Sequence, residues 1–371
     1  VTVSAVTPYP SPSVNPRPSP SPGLFAFRGK AVRLPGDGAI LYIGGSLRRS
    51  IKSRPLATIH RFDIAGEHTV LASKLLKGRA GHAAFRIDDT HVLIVGGFDA
   101  DAKPVAEIEI IDTALLSTTE NTGVTDTGLV LKKPRFNGIA IRIPAAAGDT
   151  YGKKILYIGG RNRLGARAQV DLIDPSAGAS AVSISTPKTL WLNQARTSHQ
   201  AVALADGKIV VIGGKAKKNY LTSIEIFDPA TGVFTTQTYE LAAGRSHFEA
   251  VRLKSGKILV AGGRNASGKV KTREIIDTVA GTVTASTAAP PTGGSEMQAS
   301  QDPNGVVIEA GGYDTVSADT TSTETTTTTD SADTTAAEST DAAATIDAAL
   351  ATEATVEESG TTGGSQICVY E

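Results

Sequence analysis

Four arginines open similar stretches of this chain: RAGHAAFRI from Arg79, RFNGIAIRI from Arg135, RTSHQAVAL from Arg196 and RSHFEAVRL from Arg245. A guanidinium carries five N–H donors in a rigid plane and suits paired contacts with a carboxylate. Recurring at one position, it serves either an anionic ligand or an ion pair or carbonyl contact built into each repeat. His82 and His199 occupy matching places further along these stretches, and His247 sits one residue earlier. Three imidazoles from different segments could converge on a metal, but a repeat brings any residue type into register without function, and no metal is expected. Glu249 follows two residues after His247, where a carboxyl could act as an acid or base.

A second set of charges lies in four short stretches that together hold 14 bases and no acid. They are SLRRSIKSRPL (Arg48, Arg49, Lys52, Arg54), RNRLGARAQ (Arg161, Arg163, Arg167), KAKKNYL (Lys215, Lys217, Lys218) and RNASGKVKTR (Arg264, Lys269, Lys271, Arg273). A fifth, FDADAKPV, breaks the pattern with Asp99 and Asp101. Clustered positive charge attracts an acidic protein segment or an anionic glycan. Only Tyr220 offers an aromatic ring among these bases, so stacking on nucleic acid is not expected. The chain contains no GxSxG, Walker loop, HExxH or CxxC, and neither a catalytic set nor a cofactor is expected.

The elements that position these residues form a repeat. Six Gly-Gly pairs each follow a short β-prone run, with second glycines Gly45, Gly97, Gly160, Gly214, Gly263 and Gly312, spaced by 52, 63, 54, 49 and 49 residues. After each pair comes a loop and then an alternating strand ending in an acid, as in ATIHRFD, AEIEIID, AQVDLID, TSIEIFD and TREIID. The terminal Asp63, Asp112, Asp174, Asp228 and Asp277 read as turn formers. A fourth strand follows, clearest in GVFTTQ and GTVTAS.

A period near 50 with a glycine doublet closing a strand resembles the kelch repeat, and the resemblance covers nearly the whole chain. It implies an all-β, six-bladed kelch-type β-propeller with four-stranded blades and one domain over residues 1–371. The aromatic pair that usually follows the kelch glycines is poorly kept, with Tyr313 after one doublet and Trp191 the single tryptophan. The resemblance places Arg79, Arg135, Arg196 and Arg245 near the mouth of the central channel and puts the basic stretches on one face. It implies an interaction scaffold, exported or surface-associated in a bacterium. The alternatives are a sialic-acid mutarotase using Arg196, Arg245 and Glu249, and a structural subunit of a larger assembly.

Blades one to five fill residues 23–313 together with the first half of blade six. Residues 8–22 are a Pro-rich strap. Residues 314–364 carry 11 acids and no Lys or Arg, leaving 26 acids against 37 bases elsewhere. This segment reads as an insertion between the second and third strands of the last blade, and as one acidic partner for the basic loops, in this chain or a neighbouring subunit. ICVYE then supplies the third strand within residues 365–371, and residues 1–7 the outer one, closing the ring. The lone Cys368 excludes an intramolecular disulfide, and no apolar run reaches the roughly 20 residues of a membrane helix. An extracellular, cell-surface or periplasmic location is expected.

Overall fold

The computed structural model describes residues 28–47, 51, 53–63, 67–145 and 150–286, and the backbone of Gln298–Gln301, Val307–Ala310 and Cys368–Tyr370. The expected N-terminal strand 1–7, the strap 8–22, the insertion 314–364, Arg48 and Arg49 lie outside the described residues.

Among the described residues, and apart from two two-stranded hairpins, the strands fall into six antiparallel sheets, or blades, in chain order. Blade 1 comprises Lys30–Arg33, Ile40–Ile43, Thr58–Phe62 and His68–Lys74. Blade 2 comprises Ala80–Arg86, His91–Phe98, Glu107–Asp112 and Val124–Val130. Blade 3 comprises Ile139–Arg142, Ile155–Ile158, Gly165–Asp174 and Ser183–Ser185. Blade 4 comprises Gln200–Ala203, Ile209–Ile212, Ile224–Asp228 and Val233–Thr236. Blade 5 comprises Glu249–Arg252, Ile258–Ala261, Arg273–Asp277 and Thr282–Ala285, and blade 6 comprises Gln298–Gln301, Val307–Ala310 and Cys368–Tyr370. In blade 6 Cys368 lies opposite Glu309 and Tyr370 opposite Val307. The first strands of successive blades pack against one another from blade 1 through to blade 6. This is the arrangement of a β-propeller, in which first strands surround the axis. No helix among the described residues is long and apolar enough to cross a membrane.

The core lies between blades. In the second strand of blade 2, Val92 and Ile94 pack with Leu41, Ile43 and Ile59 of blade 1, while Leu93 and Val95 pack with Ile155, Tyr157 and Ile173 of blade 3. Blade 4 repeats this: Ile209 and Val211 face blade 3, and Val210 and Ile212 face blade 5. Side chains alternate across a strand, so a strand buried on both faces must be apolar at every position. ILYI, IVVI and ILVA meet that demand.

The glycine doublets of blades 1 to 4 each fasten their blade to the next. The second glycine's N–H donates to the arginine carbonyl of the following blade: Gly45 to Arg79 (2.9 Å), Gly97 to Arg135 (3.1 Å), Gly160 to Arg196 (2.9 Å) and Gly214 to Arg245 (2.8 Å). The first glycine lies so close to that carbonyl that a Cβ on Gly96 would sit 2.5 Å from the Arg135 oxygen, and both glycines of the doublet, Gly96 (φ 69°) and Gly97 (φ 97°), have positive φ. Only glycine meets both conditions without strain.

Blade 3 departs from the repeat. Its third strand runs for ten residues, Gly165–Asp174. The chain segment leading to blade 4 forms an extra strand, Trp191–Arg196, that pairs with the first half of it. A bulge between Arg167 and Gln169 accommodates the pairing, with Gln169 opposite Trp191.

Candidate functional site

The four recurring arginines have no exposed surface. Each is ion-paired to a carboxylate on the third strand of its own blade: Arg79 with Glu109, Arg135 with Asp171 at 2.5 Å, Arg196 with Glu225 at 2.6 Å and Arg245 with Glu274. In blade 4 all five guanidinium N–H groups have acceptors. Nε donates to the Gln194 carbonyl (3.4 Å), Nη1 to the carbonyls of Gly213 (2.8 Å) and Ser223 (3.0 Å), and Nη2 to Ser223 Oγ (3.2 Å) and Glu225. Blade 5 repeats the set with Ala243, Gly262, Thr272 and Glu274. The carboxylates accept in turn from the chain entering the blade: Glu109 from the amides of Leu76 (2.9 Å) and Lys77 (3.2 Å), and Glu225 from those of Asn193 (2.7 Å) and Gln194 (3.1 Å). With its donors committed inside the blade, Arg196 or Arg245 has nothing to offer a sugar carboxylate in the channel.

These carboxylates are functional parts that the sequence reading overlooked, although a signal existed. Each stands three residues before the strand-terminal aspartate, and blades 1 and 6 lack both members of the pair. His60 faces Tyr42 and Cys368 faces Glu309 in the register that places Glu274 opposite Val260. Counting four residues back from the first strand, as Arg245 precedes Glu249, gives Ala26 and Gly294 in place of arginine. The terminal aspartates cap turns, as in the bonds from the Ala230 amide to Asp228 (2.9 Å) and the Ser176 amide to Asp174 (3.0 Å).

The histidines are packed rather than gathered. His82 lies against Gly44 and His199 against Gly159, and Phe248 occupies the equivalent place against Gly213. Burial holds the His82 imidazole down at about 3, helped by the charges of Arg79 and Lys30. Burial, with Arg196 and Arg135 nearby, drives His199 well below its ordinary value. No cluster of three or more metal-ligating side chains occurs among the described residues. Glu249, Gln200 and Lys30 begin the first strands of blades 5, 4 and 1 at one shared register position. Burial pushes the Glu249 carboxyl up to about 8, opposed by Lys30 and by a hydrogen bond with Gln200.

The basic stretches of blades 3, 4 and 5 fold as short hairpins: Arg161–Asn162 pairs with residues 165–166, Lys215–Ala216 with Asn219–Tyr220, and Arg264–Asn265 with Gly268–Lys269. Arg54, Arg161, Arg163, Lys217, Lys218 and Lys271 are exposed, and Lys215 and Arg264 half-buried. Lys215 rests over the Tyr220 ring at 4.3 Å. Arg273 is buried on the third strand of blade 5, so its guanidinium does not join the open face. Some lysines elsewhere are paired with acids: Lys77 with Glu107, Lys154 with Asp174, Lys208 with Asp206 and Lys257 with Asp277. No such pair engages the exposed hairpin bases among the described residues.

Blades that pack in succession through their first strands define a β-propeller. A family model of the kelch motif matches residues 196–238, the span from Arg196 through blade 4. The chain has the fold of a β-propeller, and its fourth blade carries a kelch motif. The solved structure of YjhT is similar in fold, with 15% sequence identity and a TM-score of 0.54, covering 70% of this chain and 84% of that one. No curated protein sequence matches the chain.

Two outcomes follow from the buried groups. Arg196→Met or Glu225→Gln alone should cost about 3–5 kcal/mol, because each leaves an unpaired charge or donor in the interior. The double variant should cost markedly less than the sum, and a urea double-mutant cycle measures that coupling. His199 is held neutral in the fold but protonates below about 6.5 when unfolded, so its contribution is complete above that pH and lost as pH falls toward the depressed folded value. His199→Phe, which copies Phe248, should therefore fold and should flatten the decline in melting temperature below about pH 6.5.

Proposed function

We propose that this propeller is a non-enzymatic interaction scaffold whose loop face holds an anionic partner, an acidic protein segment or an anionic glycan, outside the cell or at its surface. The observation that carries the reading is the gathering of like charge on neighbouring loops. Arg161, Arg163, Lys217 and Lys218 are exposed on the hairpins of blades 3 and 4, and none of them is ion-paired to an acid among the described residues. Like charges gathered on neighbouring loops repel one another, and an anion bound across them relieves that repulsion. The rigid, doubly buried strands beneath hold the hairpins in place at little entropic cost to binding.

Glu249 favours a second reading, sugar mutarotation. A carboxyl titrating near 8 is protonated at neutral pH and can deliver a proton to a ring oxygen. Arg196 and Arg245 cannot support it, since their donors are used inside the blades, which leaves Lys30 to meet a substrate carboxylate.

Reversing four charges (Arg161→Glu, Arg163→Glu, Lys217→Glu, Lys218→Glu) should abolish retention on a polyanion matrix at low salt and leave the melting temperature nearly unchanged. Retention that persists in the variant refutes the loop-face reading. The mutarotation reading requires NMR-detected acceleration of sialic-acid anomer exchange that declines as pH rises through about 8 and is lost in Glu249→Gln. No acceleration eliminates it.

A further inference from the structure

The two departures of blade 3 from the repeat meet at one place. Trp191 lies on the extra strand and is 44% exposed. Opposite it in the register is Gln169, which is 2% exposed and whose Oε1 and Nε2 are both buried with no hydrogen-bond partner among the described residues. Both line a shallow groove with Lys133 and Arg167, floored by Ala166 and Ala168. The Lys133 ammonium stands over the Trp191 ring, 5.6 Å from its centroid. Arg167 donates through Nε (3.1 Å) and Nη2 (2.8 Å) to Asn162 Oδ1, so the groove adjoins the basic hairpin of blade 3. It contains no carboxylate.

A buried amide without partners is costly, and natural proteins keep few of them. In blades 4 and 5 the residue at this position, Ser223 or Thr272, bonds the blade's arginine. Arg135 donates to the Gln169 main-chain carbonyl (3.5 Å), as Arg196 and Arg245 do at Ser223 and Thr272, but its other donors go to Asp171 and to the carbonyls of Gly159, Lys133 and Tyr157, so none reaches the Gln169 side-chain amide.

We infer that this groove is a binding site for a carboxylated pyranose, the uronic-acid unit of an acidic polysaccharide. A pyranose presents a flat C–H face to an indole ring. Vicinal hydroxyls each donate and accept, matching the paired donor and acceptor of one amide. The ring carboxylate falls to Lys133, displaced from the indole face to its edge, and to Arg167. An acidic peptide would satisfy the two cations but has no hydroxyl pair for Gln169. The inference rests on the loop-face reading for its long-range charge, and it names the ligand and the subsite.

Trp191 is the single tryptophan, so its emission reports this groove alone. The full chain is titrated with a galacturonic acid trimer, a neutral galactose trimer and a glutamic acid decamer, with calorimetry alongside. The galacturonate trimer should change Trp191 emission saturably, and the neutral trimer should bind far more weakly. Gln169→Leu should weaken the uronate by about tenfold, the scale of a lost buried hydrogen-bond pair. The same variant should keep or raise the melting temperature and leave polyanion retention intact. If calorimetry detects uronate binding that neither Trp191 emission nor Gln169→Leu registers, the groove assignment fails while the loop-face reading stands. If the glutamate decamer is the ligand that moves Trp191, the sugar assignment fails. If no anion binds at all, both fall together.

Discussion

The buried pair between arginine and carboxylate is the interaction on which the frame depends. A guanidinium removed from water is tolerable only when every N–H finds an acceptor and the charge is matched. Blade 4 meets both conditions: Arg196 joins the doublet carbonyl of Gly213, the third-strand carbonyl of Ser223 and the Glu225 carboxylate. Glu225 then takes the amides of Asn193 and Gln194 on the incoming chain. One side chain thereby ties the entry segment, second strand and third strand together. The Arg196 carbonyl binds the preceding doublet through Gly160. Apolar packing between blades is strong but undirected; this network fixes the angle at which one blade meets the next.

The same logic explains the two blades without it. Removing one partner would strand the other in the interior, so the pair is present or absent as a unit. Blade 1 has His60 where the acid would be and blade 6 has Cys368, and neither has the arginine. Half-buried His60 bonds His68 (3.0 Å) and Thr58 (3.1 Å) instead, forming a local contact within blade 1.

Much of this frame was legible from sequence. The doublets, the alternating third strands and the terminal aspartates are local signals, each contained in a few residues. The carboxylates were harder because their partners are distant in sequence: 30 residues separate Arg79 from Glu109 and 29 separate Arg196 from Glu225. A recurring arginine advertises charge but not direction, and whether it faces the axis or its own blade depends on where the doublet carbonyl lies. The basic loops were readable as charge. Arg273 escaped because it belongs to a strand, not to the loop that precedes it. The groove at Trp191 gave no local signal at all. Its two principal residues are 22 apart and meet only because an extra strand forms.

A repeated element carries the requirements of the frame at every copy, so what recurs is explained by packing and what fails to recur is not. Gln169 is the sharpest case. Serine or threonine at that position would bond the arginine, as in blades 4 and 5, and leave no group unsatisfied. The chain instead keeps a longer amide there, beneath an exposed tryptophan on a strand that no other blade has among the described residues. Stability alone selects against that combination, since an unpaired buried amide is a net loss. A ligand that supplies the missing hydrogen bonds reverses the sign, and the adjoining unpaired bases complement that ligand's negative charge.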